Sequence, residues 1–229
     1  MPRRDRAPRA PFDSLGPLDT AIPISTGTAR LTVETDGSVL LDVNGVPSSH
    51  LHPDPEHLVF EYMRWMLQVI DLHLEESDEE RAAQLAHLGG GGCSLPRAVA
   101  SRHPRARQIV VELDALLAER VREWFDLPRA PLLRIRVGDA RAVAESLTEG
   151  SRDVVIRDAF ADARTPSHLT TVEFVQAVKR VLAPGGLYLA NCGDARTLDL
   201  VRADAAAVAE VFANVMLIAD PAMLKGRRT

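Results

Sequence analysis

Apolar and polar positions alternate in the first ordered part of the chain. Residues 28–35 and 38–43 follow this pattern, with Asp36-Gly37 between them and Asn44-Gly45 after them. Alternation with a period of two predicts half-buried strands, and both dipeptides are typical of tight turns. The pattern therefore predicts a small antiparallel β-meander.

Behind the meander the spacing of the apolar positions changes. Between Asp54 and His73 apolar residues recur at intervals of three and four, and Asp54-Pro55 supplies a start signal, so a helix is predicted there. The Ala-rich residues 81–87 have helix propensity, but they lead directly into Gly89–Gly92. A nucleotide-binding unit needs its first strand before such a turn, so we predict a short buried strand.

Strands and helices then alternate to the end of the chain. The predicted order is helix 95–101, strand 108–113, helix 115–125, strand 132–137, strand 153–157, helix 170–182, strand 187–191, helix 198–212 and a sixth strand beginning at 215–219. Alternation of this kind predicts an α/β fold of the Rossmann-like type, with a mostly parallel sheet and helices on both of its faces.

Composition limits the organisation of the chain. Its 229 residues, 46% of them hydrophobic, can bury one main core. We expect a disordered arm over residues 1–25, the meander and linking helix over 26–74, and the nucleoside-binding domain over 81–229. The net charge of -5 disfavours a nucleic-acid-binding protein, because phosphate contacts need a clustered basic surface.

Sequence signals for export, membrane insertion and metal binding are weak. Arg3-Arg4 is not followed by an apolar segment of the required length, and no apolar run approaches the roughly 18 residues of a membrane span. Cys93 and Cys192 fit reduced thiols, so a cytoplasmic location is predicted. His50 and His52 lie near Asp54 without a ligand template, so no metal is expected.

Ligands of parallel sheets bind beyond the carboxyl ends of the strands, so the residues that follow each predicted strand are the candidates. Gly89, Gly90 and Gly91 let the backbone approach a nucleoside, although a tight turn without a ligand is the alternative. Because Ser94 occupies the third glycine position of the dinucleotide fingerprint, a nicotinamide cofactor is disfavoured. Only one of Glu112 and Asp114 can serve as the ribose ligand, and Glu112 is the candidate. Asp114 is either that ligand instead or the cap of the next helix.

The later strand ends carry further acids. In Gly138-Asp139-Ala140, Asp139 either contacts an exocyclic adenine amine or caps the following helix. Asp158 ends the apolar run 153–157 and is the candidate general base. His168, in the loop beyond it, either touches substrate or is an ordinary loop histidine.

The order and spacing of these motifs resemble the spermidine synthase family, specifically its actinobacterial spermidine-synthase-like branch. The resemblance covers roughly residues 26–228. It rests on Gly89–Gly92, Glu112-Leu113-Asp114, Gly138-Asp139-Ala140, Asp153–Asp158 and Leu182–Gly186, together with residues 42–50, Asp54-Pro55 and Phe60-Glu61-Tyr62 of the N-terminal part.

The resemblance implies a class I methyltransferase-like fold behind the meander, and transfer of an aminopropyl group from decarboxylated S-adenosylmethionine to a polyamine such as putrescine. This donor, or S-adenosylmethionine, would be a co-substrate, with no permanently bound cofactor. Asp158 matches the family's catalytic aspartate. The donor would be bound by Gly89, Gly90, Gly91, Glu112, Asp139 and Ala140, and the acceptor by Tyr62, Asp162 and His168.

The chain departs from the family pattern in three places. Synthases acting on putrescine have a second aspartate after the catalytic one, and here that acid, Asp162, is displaced by one position. Ser49-His50 stands where a Gln-rich strand end is common. Relatives also continue beyond residues 225–228 into another strand, so we expect either reduced stability or coverage of the sheet edge in a homodimer. A methyltransferase and a non-catalytic nucleoside-binding protein remain as alternatives.

Overall fold

The structure, a computed structural model, describes residues 12, 14–75, 81–161, 164–195 and 197–224. The strands are β1 (Ile22–Ile24), β2 (Gly27–Val33), β3 (Val39–Val43), β4 (Val46–Leu51), β5 (Gln84–Leu88), β6 (Arg107–Glu112), β7 (Leu133–Val137), β8 (Arg152–Arg157) and β9 (Leu182–Ala190). The helices are α1 (Glu61–Glu75), α2 (Ser94–Arg102), α3 (Ala115–Trp124), α4 (Ala140–Ser146), α5 (Val172–Val181), α6 (Asp199–Val211) and α7 (Pro221–Leu224), with a short 3-10 helix at Ser167–Leu169.

The N-terminal strands form the predicted antiparallel sheet, in the order β1-β2-β3-β4. Asn44 and Gly45 both have positive φ, at 53° and 78°, which suits the tight turn between β3 and β4. The predicted arm is too long at its C-terminal end, because Ile22 and Ile24 are buried and β1 pairs with β2. A run of this length is too short for its alternation to stand out in the sequence.

Helix α1 begins later than the sequence predicts. Asp54 does start a local turn, because its side chain accepts a hydrogen bond from the Glu56 backbone N–H at 3.0 Å. That turn does not continue as a helix, and α1 starts only at Glu61. Because α1 starts at Glu61, Tyr62 lies in its first turn.

The parallel sheet has the strand order β7-β6-β5-β8-β9. The predicted short strand at 81–87 is confirmed as β5, which is the central strand and has Leu85 and Leu88 fully buried. Apolar clusters cover the two faces of the sheet, one built with α4, α5 and α6 and the other with α1 and α2. The predicted α/β fold class is therefore confirmed. The strand order reverses between β5 and β8, and ligands of such sheets bind at that point.

The C-terminal part differs from the prediction in two respects. Strand β9 already begins at Leu182, where a helix end was predicted, and an irregular register opposite Arg152 accommodates the Pro184-Gly185-Gly186 sequence. The predicted sixth strand at 215–219 is wrong, because this segment pairs with no strand of the described chain. Its apolar side chains, Val215, Met216, Leu217 and Ile218, are exposed instead. Apolar character alone could not supply the pairing partner.

The N-terminal sheet packs against the side of the parallel sheet that carries α3. Leu31 and Leu41 of the N-terminal sheet share one core with Val121 and Trp124 of α3. This packing brings the end of β4 over the turn that follows β5. Across the described residues, no helix has the length and apolar character needed to span a membrane.

Candidate active site

The glycine turn after β5 passes against the chain that follows β8. Gly89 has φ of 111°, and a Cβ built on it would lie 2.0 Å from the backbone carbonyl oxygen of Asp158. Only glycine tolerates both this conformation and this approach. The turn predicted from the sequence is therefore present, and it brings the glycines and Asp158 to the same place.

Strand β4 covers the glycine turn from the N-terminal sheet. Ser49 Oγ accepts a hydrogen bond from the Gly92 backbone N–H at 2.7 Å, and a side chain on Gly91 would reach that Oγ at 2.6 Å. His50 Nε2 lies 2.9 Å from Glu34 Oε2. Among the described residues no cluster of three or more His, Cys, Asp or Glu side chains is arranged to hold a metal ion.

Glu112 is fixed between the glycine turn and the start of α3. Its Oε2 accepts a hydrogen bond from the Gly91 backbone N–H at 2.9 Å, and its Oε1 accepts one from the Asp114 backbone N–H at 3.0 Å. Burial raises the pKa of Glu112, although these backbone donors act in the opposite direction. Each carboxylate oxygen keeps capacity for a further hydrogen bond. The ribose-binding role of Glu112 stays a prediction.

Asp114 takes the capping role that the sequence left open. Its side chain accepts hydrogen bonds from the backbone N–H groups of Leu117 at 2.8 Å, Ser25 at 3.0 Å and Thr26 at 2.6 Å. Burial alone would raise the pKa of Asp114, but these hydrogen bonds lower it to about 2. Asp114 therefore caps α3 and also fastens the N-terminal sheet to the parallel one.

Asp139 caps α4 and contacts His168. Its Oδ1 accepts a hydrogen bond from the Ala142 backbone N–H at 2.9 Å, while its Oδ2 lies 2.8 Å from His168 Nε2. Ala140 is the first residue of α4. The contact ties the segment beyond Asp158 to the turn after β7. The adenine-binding role of Asp139 and Ala140, and the substrate-binding role of His168, stay predictions.

Asp158 is held from two directions at the end of β8. Its Oδ2 accepts a hydrogen bond from Tyr62 Oη at 3.0 Å, and its Oδ1 accepts one from Asn191 Nδ2 at 3.0 Å. Burial raises the pKa of Asp158, while the hydrogen bonds from Asn191 and Tyr62 oppose that change. The result is a fixed carboxylate with an elevated pKa beside the glycine turn.

Tyr62, in the first turn of α1, lies next to Asp158. Burial raises the pKa of the Tyr62 phenol, and the neighbouring Asp158 charge adds to the effect, so the phenol stays protonated and donates. The ring of Tyr62 stacks on Phe60 with centroids 6.0 Å apart. The sequence predicts that Tyr62 contacts the polyamine substrate, and in this structure its hydroxyl donates to the Asp158 carboxylate.

Sequence reasoning did not select Asn191. It follows β9 directly, so the rule that ligands meet the carboxyl ends of strands could have found it. Asn191 is neutral and belongs to no charged motif, so no other sequence signal marks it. Asp162, the displaced second acid, lies outside the described residues.

The strand order and the acids at the strand ends define a class I methyltransferase-like protein of the Rossmann-like type. No protein-family model matches the chain. It is 48% identical to a solved structure, a probable spermidine synthase from Corynebacterium glutamicum, over 93% of this chain and 77% of that one, with a TM-score of 0.86. The chain therefore belongs to the spermidine synthase family, which confirms the resemblance seen in its motifs.

More distant relatives include a polyamine aminopropyltransferase and a methyltransferase-like protein. The polyamine aminopropyltransferase of Vibrio vulnificus is 29% identical over 61% of this chain and 45% of its own length. The chain spans about half the length of the curated relatives it matches. A structure of human methyltransferase-like protein 13 in complex with SAH is 26% identical, over 68% of this chain and 74% of that one, with a TM-score of 0.58.

Proposed function

We propose that this protein transfers the aminopropyl group of decarboxylated S-adenosylmethionine to an amine of a polyamine acceptor. The observation that carries the proposal is the Asp158 carboxylate, held by Tyr62 and Asn191 beside the glycine turn. A base fixed at the topological switch point of the sheet lies where such folds bind their ligands. Membership of the spermidine synthase family supports the same reaction.

The donor would lie along the carboxyl ends of β5, β6 and β7. Gly89, Gly90 and Gly91 would leave room for the nucleoside, and Glu112 would accept hydrogen bonds from its ribose hydroxyls. Asp139 and Ala140 would border the adenine. Decarboxylated S-adenosylmethionine carries a sulfonium and an ammonium group, so the acids of this site would attract it electrostatically.

Asp158 would act as the general base on the acceptor. An alkyl amine is protonated at neutral pH and has no free lone pair until a base takes a proton. The amine nitrogen then attacks the carbon next to the sulfonium, the new C–N bond forms, and the C–S bond breaks. Its electron pair stays on sulfur, which leaves as the neutral thioether methylthioadenosine. The raised pKa of Asp158 suits a base that works near neutral pH.

The acceptor would enter beside Asp158, with Tyr62, Asp162 and His168 as its candidate contacts. Tyr62 and Asn191 would keep the carboxylate aimed at the reacting amine, because each donates to a different oxygen of Asp158. An aimed base gives a larger rate gain than a mobile one, since the reacting atoms start close to the attack geometry.

Methyl transfer from S-adenosylmethionine is the second candidate, favoured by the likeness to the human methyltransferase structure. That donor carries a carboxylate, which has to be accommodated near the glycine turn. Here the Glu112 carboxylate already accepts the hydrogen bond of the Gly91 backbone N–H, at 2.9 Å. A second carboxylate close by would be repelled, so the local charge favours the decarboxylated donor.

Calorimetry with decarboxylated S-adenosylmethionine, S-adenosylmethionine and methylthioadenosine separates these candidates. We expect the first and third to bind and the second to bind more weakly. Mass spectrometry after incubation with the decarboxylated donor and putrescine is expected to detect spermidine and methylthioadenosine. Preferred binding of S-adenosylmethionine with a methylated product would favour the second candidate. Binding of none of the three ligands would refute both.

A further inference from the structure

A fully buried arginine lies directly beside the candidate base. Arg157 is the last residue of β8, precedes Asp158 and is 0% exposed. Its guanidinium pairs with both carboxylate oxygens of Asp204 from α6, one of them at 2.9 Å. Although burial disfavours the charge, the hydrogen bond to Asp204 raises the pKa of Arg157, so the group stays charged.

The two terminal nitrogens of Arg157 also reach the backbone at two places around Asp158, whereas its buried Nε has no hydrogen-bond partner among the described residues. One nitrogen donates to the Leu169 carbonyl oxygen at 2.8 Å, and the other to the Asn191 carbonyl oxygen at 3.2 Å. Leu169 closes the 3-10 helix at the far end of the segment that leaves Asp158. Asn191 is the residue whose side chain holds Asp158 Oδ1. One guanidinium thus links β8, β9, α6 and the loop beyond the base.

Stability does not account for such a pair. Removing two charges from water costs several kcal/mol per ion, and buried ion pairs are often replaceable by apolar residues without loss. A planar group with donors in fixed directions is, however, well suited to hold several acceptors at once. The placement therefore favours a role in geometry over a role in folding energy.

We propose that the Arg157–Asp204 pair is a positioning device for the Asp158 base, acting through the Asn191 backbone and the Leu169 end of the following loop. This inference rests on the proposed function, because it requires Asp158 to act as the base. Arg157 and Asp204 touch no reacting atom. They fix the two segments between which the carboxylate is aimed, so their loss is expected to lower kcat and to leave donor binding unchanged.

The variants Arg157→Lys and Asp204→Asn test the device from both sides. Arg157→Lys keeps the positive charge next to Asp204, so it protects the fold, but an ammonium cannot reach all the acceptors that the planar guanidinium holds. Asp204→Asn keeps the shape and removes the charge. The matched control is Arg180→Lys. Arg180 lies near the C-terminal end of α5, just before β9, and it also donates to backbone carbonyls, those of Glu145 and Leu147 at 2.9 Å.

Steady-state kinetics and calorimetry should be run on each variant, with kcat expressed per donor-binding-competent molecule. We expect kcat to fall about 10- to 100-fold in Arg157→Lys and Asp204→Asn, with donor affinity kept, since small displacements of a reacting group cost this much. Arg180→Lys should match the wild type. If Asp204→Asn fails to fold, Arg157→Lys carries the test alone.

Wild-type kcat per competent molecule in the folded variants would overturn the inference and leave the proposed function intact. An inactive wild-type protein would instead remove the proposed function, and the inference with it.

Discussion

Replacing Tyr62 with phenylalanine removes one hydrogen-bond donor from the candidate base and little else. The phenol donates to Asp158 Oδ2 at 3.0 Å, while the ring stacks on Phe60 and would be kept in the variant. Asp158 retains the Asn191 donor on its other oxygen. The substitution therefore changes the electrostatics of Asp158 more than its packing.

The expected effect on Asp158 follows from the strength of that hydrogen bond. A hydrogen bond to a charged group contributes about 1.5–3 kcal/mol, and it favours the ionised form of the carboxylate. The protonated carboxyl group keeps only part of this interaction, so loss of the Tyr62 donor would raise the pKa of Asp158 further above its ordinary value. The base works only when deprotonated, so the acidic limb of the rate profile should move to higher pH.

The assay is the pH dependence of kcat/KM for the acceptor in wild type and Tyr62→Phe. The matched control is Tyr188→Phe, because the Tyr188 hydroxyl is buried and has no hydrogen-bond partner in the described part of the chain. Its profile should overlay the wild type. An acidic limb in Tyr62→Phe that coincides with the wild-type limb would refute the assignment of Asp158 and Tyr62.

Further predictions concern the donor site and the fold that supports it. Glu112→Gln should weaken binding of both the donor and methylthioadenosine about 10- to 100-fold in calorimetry, because hydrogen bonds to a charged acceptor are worth about 1.5–3 kcal/mol; equal affinity would contradict ribose binding. Asp114→Ala should lower the free energy of unfolding by about 0.5–2 kcal/mol through loss of the α3 cap, measured in urea. The contribution of Asp114 to the free energy of unfolding should be fully present above its ordinary pKa of 3.8 and be lost as pH falls towards about 2. A difference in unfolding free energy between wild type and Asp114→Ala that stays constant over that interval would contradict this prediction. Gly89→Ala should be more destabilising than Gly45→Ala. Both glycines have positive φ, but a Cβ at position 89 would lie 2.0 Å from the Asp158 carbonyl oxygen, whereas nothing lies within 4 Å of a Cβ at position 45. Equal urea-unfolding midpoints for the two alanine variants would show that the close approach of Gly89 to Asp158 is unimportant.

The parts of the site that the sequence predicted are those set by local rules. The glycine turn requires a strand before Gly89, which predicts the central strand, and Asp158 follows the apolar run 153–157, so the sheet's connectivity brings them together. Glu112 follows from the same rule. Asp114 could not be assigned, because capping and ligand binding need the same residue type at the same position. The hydrogen bonds from Ser25, Thr26 and Leu117 decide it.

The parts that escaped prediction depend on contacts between distant segments. The contact of Tyr62 with Asp158 joins residues 96 positions apart in the chain, and no local signal marks the start of α1 at Glu61 more strongly than Asp54-Pro55 does. Arg157 looks like a strand residue in the sequence, whereas its partner Asp204 is on α6. The apolar character of residues 215–219 predicts a strand, but strand formation requires a paired backbone, which the sequence pattern cannot report.

The most direct test of the account compares wild type with Asp158→Asn in two measurements on the same preparations. Calorimetry gives the affinity for decarboxylated S-adenosylmethionine, and release of methylthioadenosine in the presence of putrescine gives the rate of transfer. The account predicts an unchanged affinity and a rate lower by about 10²- to 10⁴-fold, the range typical of a lost general base. An Asp158→Asn protein that binds the donor and transfers at the wild-type rate would contradict it.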